Sequence, residues 1–185
     1  PTGDPGRWVR TTDEAGNHVV LGSDARVVGD TQLVSPVLQV SPSEPLVITC
    51  THAYTHQGIG PPAGIALDGG VIELSTDGGA SWRDVTELGA DPGYNSTVIS
   101  NRGNPLAGRR AFTATSPSFP RRDPLRLSFG TRLAGQAVQL RFRIGTDVSN
   151  AGSGWQIDDI AVTGITNTPF PGLVVEPTRC TAPAR

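Results

Sequence analysis

The stretch Asp68–Val85 constrains the fold of this chain most strongly, because its pattern is that of a complete β-hairpin. From Val71 to Thr76 apolar residues alternate with others, so that every second side chain shares a face, which is the period of a half-buried strand. The residues Asp77-Gly78-Gly79 tolerate positive φ, as a tight turn requires. Ser81–Val85 then predicts the returning strand, and the hairpin as a whole predicts an antiparallel sheet.

Composition and periodicity extend this prediction to the whole chain. The 185 residues include 23 Gly and 16 Pro, and no long run has helical periodicity. The clearest further strands are Leu46–Tyr54, Val138–Ile144 and Gly154–Thr163, and about eight to ten short strands with long loops are typical of a sandwich. We therefore predict an all-β, two-sheet antiparallel β-sandwich over residues 1–170, followed by a C-terminal tail with linker composition over 171–185.

Charge and motif content exclude several classes of function. A net charge of −2 and a pI near 5.9 argue against a nucleic-acid partner. No segment approaches the roughly 20 consecutive apolar residues of a membrane span. The sequence contains no H-E-x-x-H, G-x-S-x-G or P-loop pattern. We expect a protein that is not an enzyme.

The two cysteines allow one disulfide. Cys50 lies within an apolar strand and Cys180 near the end of the chain. A Cys50–Cys180 bridge and a pair of free thiols are both compatible with this placement, because a buried free Cys behaves as a small hydrophobe. A titration of free thiols in denatured, unreduced protein distinguishes the two.

The octet Ser75–Trp82 fits the pattern S-x-D-x-G-x-[ST]-W and resembles the Asp-box hairpin of sialidases and related proteins. The resemblance implies that Asp77 ties the turn together with Ser75 and Gly79, and that Trp82 packs beneath it. In such families the box is a folding device away from the catalytic centre. It therefore implies an architecture and leaves activity open.

Three segments, taken in order, resemble the jelly-roll domain of immune-inhibitor-A-type secreted metallopeptidases and other bacterial exoproteins, which is similar to animal MAM domains. They are Asp30–Pro36, Asp68–Gly79 with Trp82, and Gly154–Ile160. The resemblance covers most of residues 30–163. It implies a jelly roll of the MAM, LNS or carbohydrate-binding-module kind. Such a module is secreted or displayed at the cell surface, has no catalysis of its own, and is attached to other domains of a parent protein such as a peptidase.

A structural Ca²⁺ ion is also implied, because related jelly rolls often contain one. The matching ligand positions here are Asp30, Asp68, and Asp158 or Asp159, and Ca²⁺ takes roughly six to eight oxygen ligands. Asp159 shares its face of the last strand with apolar residues, so we expect it to point inward, where a carboxylate must be paired, hydrogen-bonded or metal-bound. The alternative to an ion is that Asp159 accepts backbone N–H bonds or pairs with an Arg, while Asp158 caps a turn.

Other polar and aromatic residues receive structural interpretations. We expect His52 to be a hydrogen-bonded core histidine, Arg141 and Arg143 to lie on a solvated sheet surface, and Trp82 and Trp155 to belong to the core. The resulting hypothesis is a non-catalytic accessory or binding domain, with a carbohydrate-binding module, a cell-surface adhesion domain or a hydrolase as alternatives. Aromatic residues make up only 5% of the chain, which counts against a glycan-binding face. The sequence leaves open whether the ligand is a protein or a polysaccharide.

Overall fold

Two antiparallel sheets pack face to face in the computed structural model, which describes residues 6–13, 16–59, 64–99 and 102–170. The first sheet contains, in spatial order, β1 (Trp8–Thr12), β2 (His18–Gly22), β14 (Gly154–Thr163), β5 (Leu46–Thr55) and β12 (Asp123–Gly130). The second contains β3 (Gly29–Val34), β13 (Ala137–Thr146), β8 (Gly69–Ser75) and β9 (Arg83–Asp84), with β4 (Leu38–Gln39) paired to β13. The predicted all-β sandwich is confirmed.

The remaining elements are short and lie in the connections. They are β6 (Gly58–Ile59) paired with β7 (Ile65–Ala66), β10 (Ser96–Thr97) paired with β11 (Arg110–Ala111), and a 3₁₀ helix (Val85–Leu88). In the described parts of the chain no helix is long and apolar enough to cross a bilayer. The predicted tail over 171–185, which includes Cys180, lies outside the described residues, so its pairing with the buried Cys50 stays a prediction.

One hydrophobic core fills the space between the two sheets. Trp155 on β14 is fully buried at its centre, as predicted. Its ring centroid lies 5.5 Å from that of Phe142 on the opposite sheet and 5.4 Å from that of Phe112. Burying a large apolar side chain contributes about 1.5–3 kcal/mol, so these contacts are a major source of the sandwich's stability.

The second half of β14 departs from simple alternation. Its pairing with β5 shifts register between Asp158 and Ala161, and Asp159 has a left-handed backbone with φ of 52°. A β-bulge of this kind re-aims the side chains around it. Asp159 is exposed, so the prediction that it points into the core is wrong, although Trp155 and Ile157 before the bulge are buried as expected.

The turn of the central hairpin is tied by side chains. Asp77 Oδ1 accepts hydrogen bonds from the Ser75 hydroxyl at 2.7 Å and from the Ser81 amide at 2.9 Å. Ser75 Oγ in turn accepts from the Gly79 amide at 2.9 Å. These contacts match the role that the resemblance implies for Asp77.

Trp82 lies at the end of this turn, and its Nε1 donates to the Gly79 carbonyl at 3.0 Å. The side chain is only partly buried and lies outside the core cluster. The Arg141 guanidinium covers the ring at 4.3 Å from its centroid. The prediction of Trp82 as a core residue is therefore wrong, because the ring packs against the outer side of the sheet.

Candidate functional site

Three buried aspartates come from one end of the sandwich. Asp24 follows β2, Asp68 directly precedes β8, and Asp147 directly follows β13. Because β8 and β13 are antiparallel neighbours, with Gly69 opposite Gly145, the start of one strand lies beside the end of the other. Asp68 and Asp147 are 0% exposed and Asp24 is 9% exposed. The site therefore joins a loop of the first sheet to two strand ends of the second.

Each of the three carboxylates has one oxygen bound by the backbone and one oxygen without a partner. Asp24 Oδ2 accepts hydrogen bonds from the backbone N–H groups of Gln57 at 3.0 Å and Gly152 at 2.7 Å. Asp68 Oδ1 accepts one from Asp147 at 2.6 Å, and Asp147 Oδ1 accepts one from Ser149 at 2.8 Å. Asp24 Oδ1, Asp68 Oδ2 and Asp147 Oδ2 are buried and have no hydrogen-bond partner among the described residues. Buried polar atoms are normally paired, so three such oxygens at one site leave a place for a proton or a cation. The side chains of Asp24 and Asp68 are close enough to share a proton in a hydrogen bond.

The basic groups nearest to this cluster compensate it incompletely. Arg102 Nε is 4.0 Å from Asp147 Oδ2, which is too long for a hydrogen bond. His56 is buried against Asp24, with Nδ1 3.8 Å from Asp24 Oδ2, and neither of its ring nitrogens has a hydrogen-bond partner among the described residues. Its ring stacks on Tyr54 at 5.8 Å between centroids.

The pKa values of the cluster reflect this imbalance. Burial, followed by the charge of Asp24, raises the pKa of Asp68 to about 8. Burial also acts to raise the pKa of Asp24, but hydrogen bonding and the charge of His56 outweigh it and lower that pKa. In the absence of a cation, Asp68 therefore keeps its proton at neutral pH, and the cluster can bind either a proton or a positive ion.

The donor set fits a hard cation in type. Ca²⁺ prefers carboxylate, carbonyl and water oxygens, and all three unpartnered atoms are carboxylate oxygens. Within the described ranges, no group of three or more His, Cys, Asp or Glu side chains is placed so that it could hold a metal ion. Carboxylates of like charge repel one another when neither a proton nor a cation lies between them. A bound ion would need backbone carbonyls or water to complete its shell.

The structure does not bring the four predicted calcium ligands together. Only Asp68 belongs to the buried cluster. Asp30 is half exposed on the outer side of β3 and pairs with Arg143 through two hydrogen bonds of 2.7 Å. Its charge is already compensated by Arg143.

The other two predicted ligands lie on the first sheet and have their own partners. Asp158 Oδ2 accepts from Asn17 Nδ2 at 2.6 Å and lies 3.6 Å from an Arg122 nitrogen. Asp159 Oδ2 accepts from the Thr51 hydroxyl at 3.1 Å. Neither residue makes a recorded contact with Asp68, so the cluster consists of Asp68 and two residues that motif reasoning missed.

Glu73 on β8 is a second buried acidic site and is fully paired. It is 3% exposed and contacts Arg109 and Arg141 at 2.6 Å and Arg143 at 3.5 Å. Arg109 also binds Asp84 at 2.7 Å. The prediction that Arg141 and Arg143 lie on a solvated surface is wrong, because their side chains are only 12% and 18% exposed.

His52 behaves as predicted. It is buried and its Nδ1 accepts a hydrogen bond from Trp155 Nε1 at 3.2 Å. Burial lowers its pKa to about 4, so the ring is neutral at physiological pH.

A comparison of the chain with protein-family models finds no match, and a comparison with curated proteins finds none either. The resemblance to MAM-like jelly-roll domains therefore rests on the three sequence segments that carry it, and it stays a prediction.

Proposed function

We propose that this chain is a non-catalytic binding domain of a secreted or cell-surface protein, and that Asp24, Asp68 and Asp147 bind a Ca²⁺ ion that stabilises the sandwich. One observation carries the proposal: each of these buried carboxylates retains an oxygen with no partner among the described residues. An uncompensated buried charge costs several kcal/mol, and a cation removes that cost.

The position of the three carboxylates supports a structural role for the ion. Asp24 belongs to the loop after β2 of the first sheet, while Asp68 and Asp147 flank strands of the second sheet. A single ion would thus connect the two layers of the sandwich. If the protein is secreted, a Kd of about 10⁻⁴ to 10⁻³ M, as in other extracellular modules, would suffice to keep the site occupied.

The remaining parts of the proposal rest on the sequence. The absence of a catalytic pattern supports a domain that is not an enzyme, and the resemblance to accessory jelly rolls supports a parent protein that is a secreted peptidase. On this view the ligand is a protein or a polysaccharide, and the neighbouring domains of the parent are further partners.

Thermal unfolding of the chain in EDTA, CaCl₂ and MgCl₂ tests the ion. We expect Ca²⁺ at about 100 times its Kd to stabilise the domain by roughly 2.7 kcal/mol. The Asp68→Asn variant should lose this response, because it removes a charged ligand with little change in shape. Asp30→Asn is the matched control and should keep the response, since Asp30 is bound to Arg143 outside the cluster.

Two results would contradict the proposal. If the wild-type protein melts at the same temperature in EDTA and in Ca²⁺, the cluster binds a proton and no cation. If Asp30→Asn loses the response while Asp68→Asn keeps it, the ion lies at a different place.

A further inference from the structure

An open groove of about 770 Å³ lies on the outer side of the first sheet. Its floor is formed by residues of β1, β2, β5 and β14 that face away from the core, and one wall is the segment Phe119–Arg122. The volume is within the roughly 300–1,000 Å³ that is common for ligand sites. The groove is separate from the aspartate cluster, because none of the three aspartates lines it.

The lining combines hydrogen-bonding groups with an aromatic ring. Thr51, Ser153 and Gln156 supply hydroxyl and amide groups. The Gln156 side chain is half-buried, and no hydrogen bond joins its amide to another described residue. Phe119 is 38% exposed at the wall, so part of its ring is open to the groove. This exposed aromatic was not apparent from composition, in which aromatic residues are few.

Asp159 is placed at the groove by the bulge in β14. Its left-handed backbone, with φ of 52°, moves the side chain out of the alternation that would have pointed it into the core. Non-glycine residues in this conformation are uncommon, and they cluster at functional sites. One carboxylate oxygen accepts a hydrogen bond from the Thr51 hydroxyl, and no described residue donates to the other. The carboxylate is therefore available to a ligand.

Among the described residues that line the groove, the charges balance one another. Asp13 and Asp159 contribute two negative charges, and Arg121 and Arg122 contribute two positive charges. Arg122 is already paired with Asp13 at 2.9 Å. A groove without net charge gives no electrostatic preference for a polyanion.

We propose that this groove binds a neutral polysaccharide, with Asp159 and Gln156 contacting sugar hydroxyls and Phe119 packing on the C–H face of a ring. A sugar ring presents hydroxyls at its edge and an apolar face, which matches a polar floor beside an aromatic wall. The inference rests on the proposed function of the chain as a binding domain, and it names the class of ligand.

Native gels that contain a soluble neutral polysaccharide test the groove, with a mixed-linkage β-glucan, a xylan and a galactomannan as probes and dextran sulfate as the anionic comparison. We expect at least one neutral polymer to retard the chain in buffer with Ca²⁺. The variants Asp159→Asn and Phe119→Ala should weaken that binding at least about ten-fold while their melting temperatures stay near the wild-type value. Asn tolerates the left-handed backbone, so Asp159→Asn should preserve the fold. Asp30→Asn, on the other sheet, should bind like the wild type.

The inference is overturned if none of the three neutral polymers retards the chain, if only dextran sulfate does, or if the two groove variants bind like the wild type. If a neutral polymer still retards both variants, the proposed function as a binding domain stands, but the ligand binds outside the groove. The calcium response is read from melting curves and not from the gels, so its loss would contradict the ion without affecting the groove.

Discussion

The two buried acidic sites of this sandwich differ in how their charge is compensated. Glu73 lies in mid-strand, and its neighbour across the β8–β13 ladder is Arg141, so cross-strand pairing brings a guanidinium directly to the carboxylate. Asp68 lies at a strand end, where the Asp147 N–H and, at 3.4 Å, the Asn104 side-chain amide donate to one oxygen. The Arg102 guanidinium lies 4.0 Å from Asp147. Arginine side chains on the sheet thus compensate Glu73, whereas the loops give Asp68 only amide groups, and a proton or the proposed cation would complete its pairing.

The largest expected effect comes from Glu73→Ala, which removes the centre of the paired site. Breaking a buried ion pair costs about 3–5 kcal/mol, because the partner charges are left uncompensated. Urea denaturation should show a loss of this size. Glu87→Ala is the control, since the exposed Glu87–Arg83 pair, at 3.3 Å, contributes about 0–1 kcal/mol at most. Equal losses in the two variants would mean that the Glu73 site behaves like a surface ion pair.

A buried ionisable group needs no partner of opposite charge if it stays neutral, as His52 does. Its folded pKa of about 4 lies below the ordinary value of 6.5, so the unfolded chain takes up the proton first as the pH falls. The stability that neutral His52 contributes to the folded state is complete above pH 6.5 and is lost as the pH falls through 4. At about 1.4 kcal/mol for each pKa unit, this amounts to roughly 3 kcal/mol.

Urea denaturation at pH 7 and pH 4.5 measures the His52 effect against His52→Gln, which does not titrate but keeps an acceptor for Trp155. The wild type should lose more stability than the variant between the two pH values. His18→Gln, at an exposed position, should behave like the wild type. A pH dependence that is the same in the His52 variant would show that other groups cause it.

In the aspartate cluster, neutralising one residue should change the free energy of unfolding in the opposite direction to the loss expected for Glu73→Ala. In EDTA, where Asp68 keeps its proton, Asp147→Asn removes a negative charge from beside Asp24 and should leave the free energy of unfolding unchanged or raise it by about 1 kcal/mol. In saturating Ca²⁺ the same variant should be less stable than the wild type, because a ligand is lost. A strong destabilisation in EDTA would mean that the cluster is internally compensated as Glu73 is.

The smallest effect is expected at Asp77, which is exposed and binds only its own turn. Hydrogen bonds from the Ser81 side chain and backbone lower its pKa to about 2. The contribution to stability is therefore present above the ordinary value of 3.8 and is lost as the pH falls through 2. Asp77→Ala should lower the melting temperature less than Glu73→Ala does, as measured by circular dichroism, and a larger loss would mean that the turn nucleates the sheet.

Local patterns in the sequence were sufficient to predict the elements of this fold. Period-two alternation in β5 and β13 identified the buried faces, and Asp77-Gly78-Gly79 identified the turn of the central hairpin. These features depend on neighbouring residues and on backbone preferences that short segments already express. Alternation predicted the wrong orientation for Asp159, because the bulge there depends on how β14 pairs with β5. Such a bulge produces no periodic pattern in the sequence.

Local sequence patterns were therefore enough to predict the class of fold, the main strands and the role of His52 as a hydrogen-bonded core residue. Which acidic residues meet depends on how the two sheets assemble. The Asp147 N–H donates to the Asp68 carboxylate across 79 residues of sequence, and the Gly152 N–H donates to the Asp24 carboxylate across 128. Neither pair belongs to a local motif. Long-range pairing of strand ends creates these contacts, so the aspartate cluster, the Glu73 ion pairs and the groove appear only once the two sheets have formed.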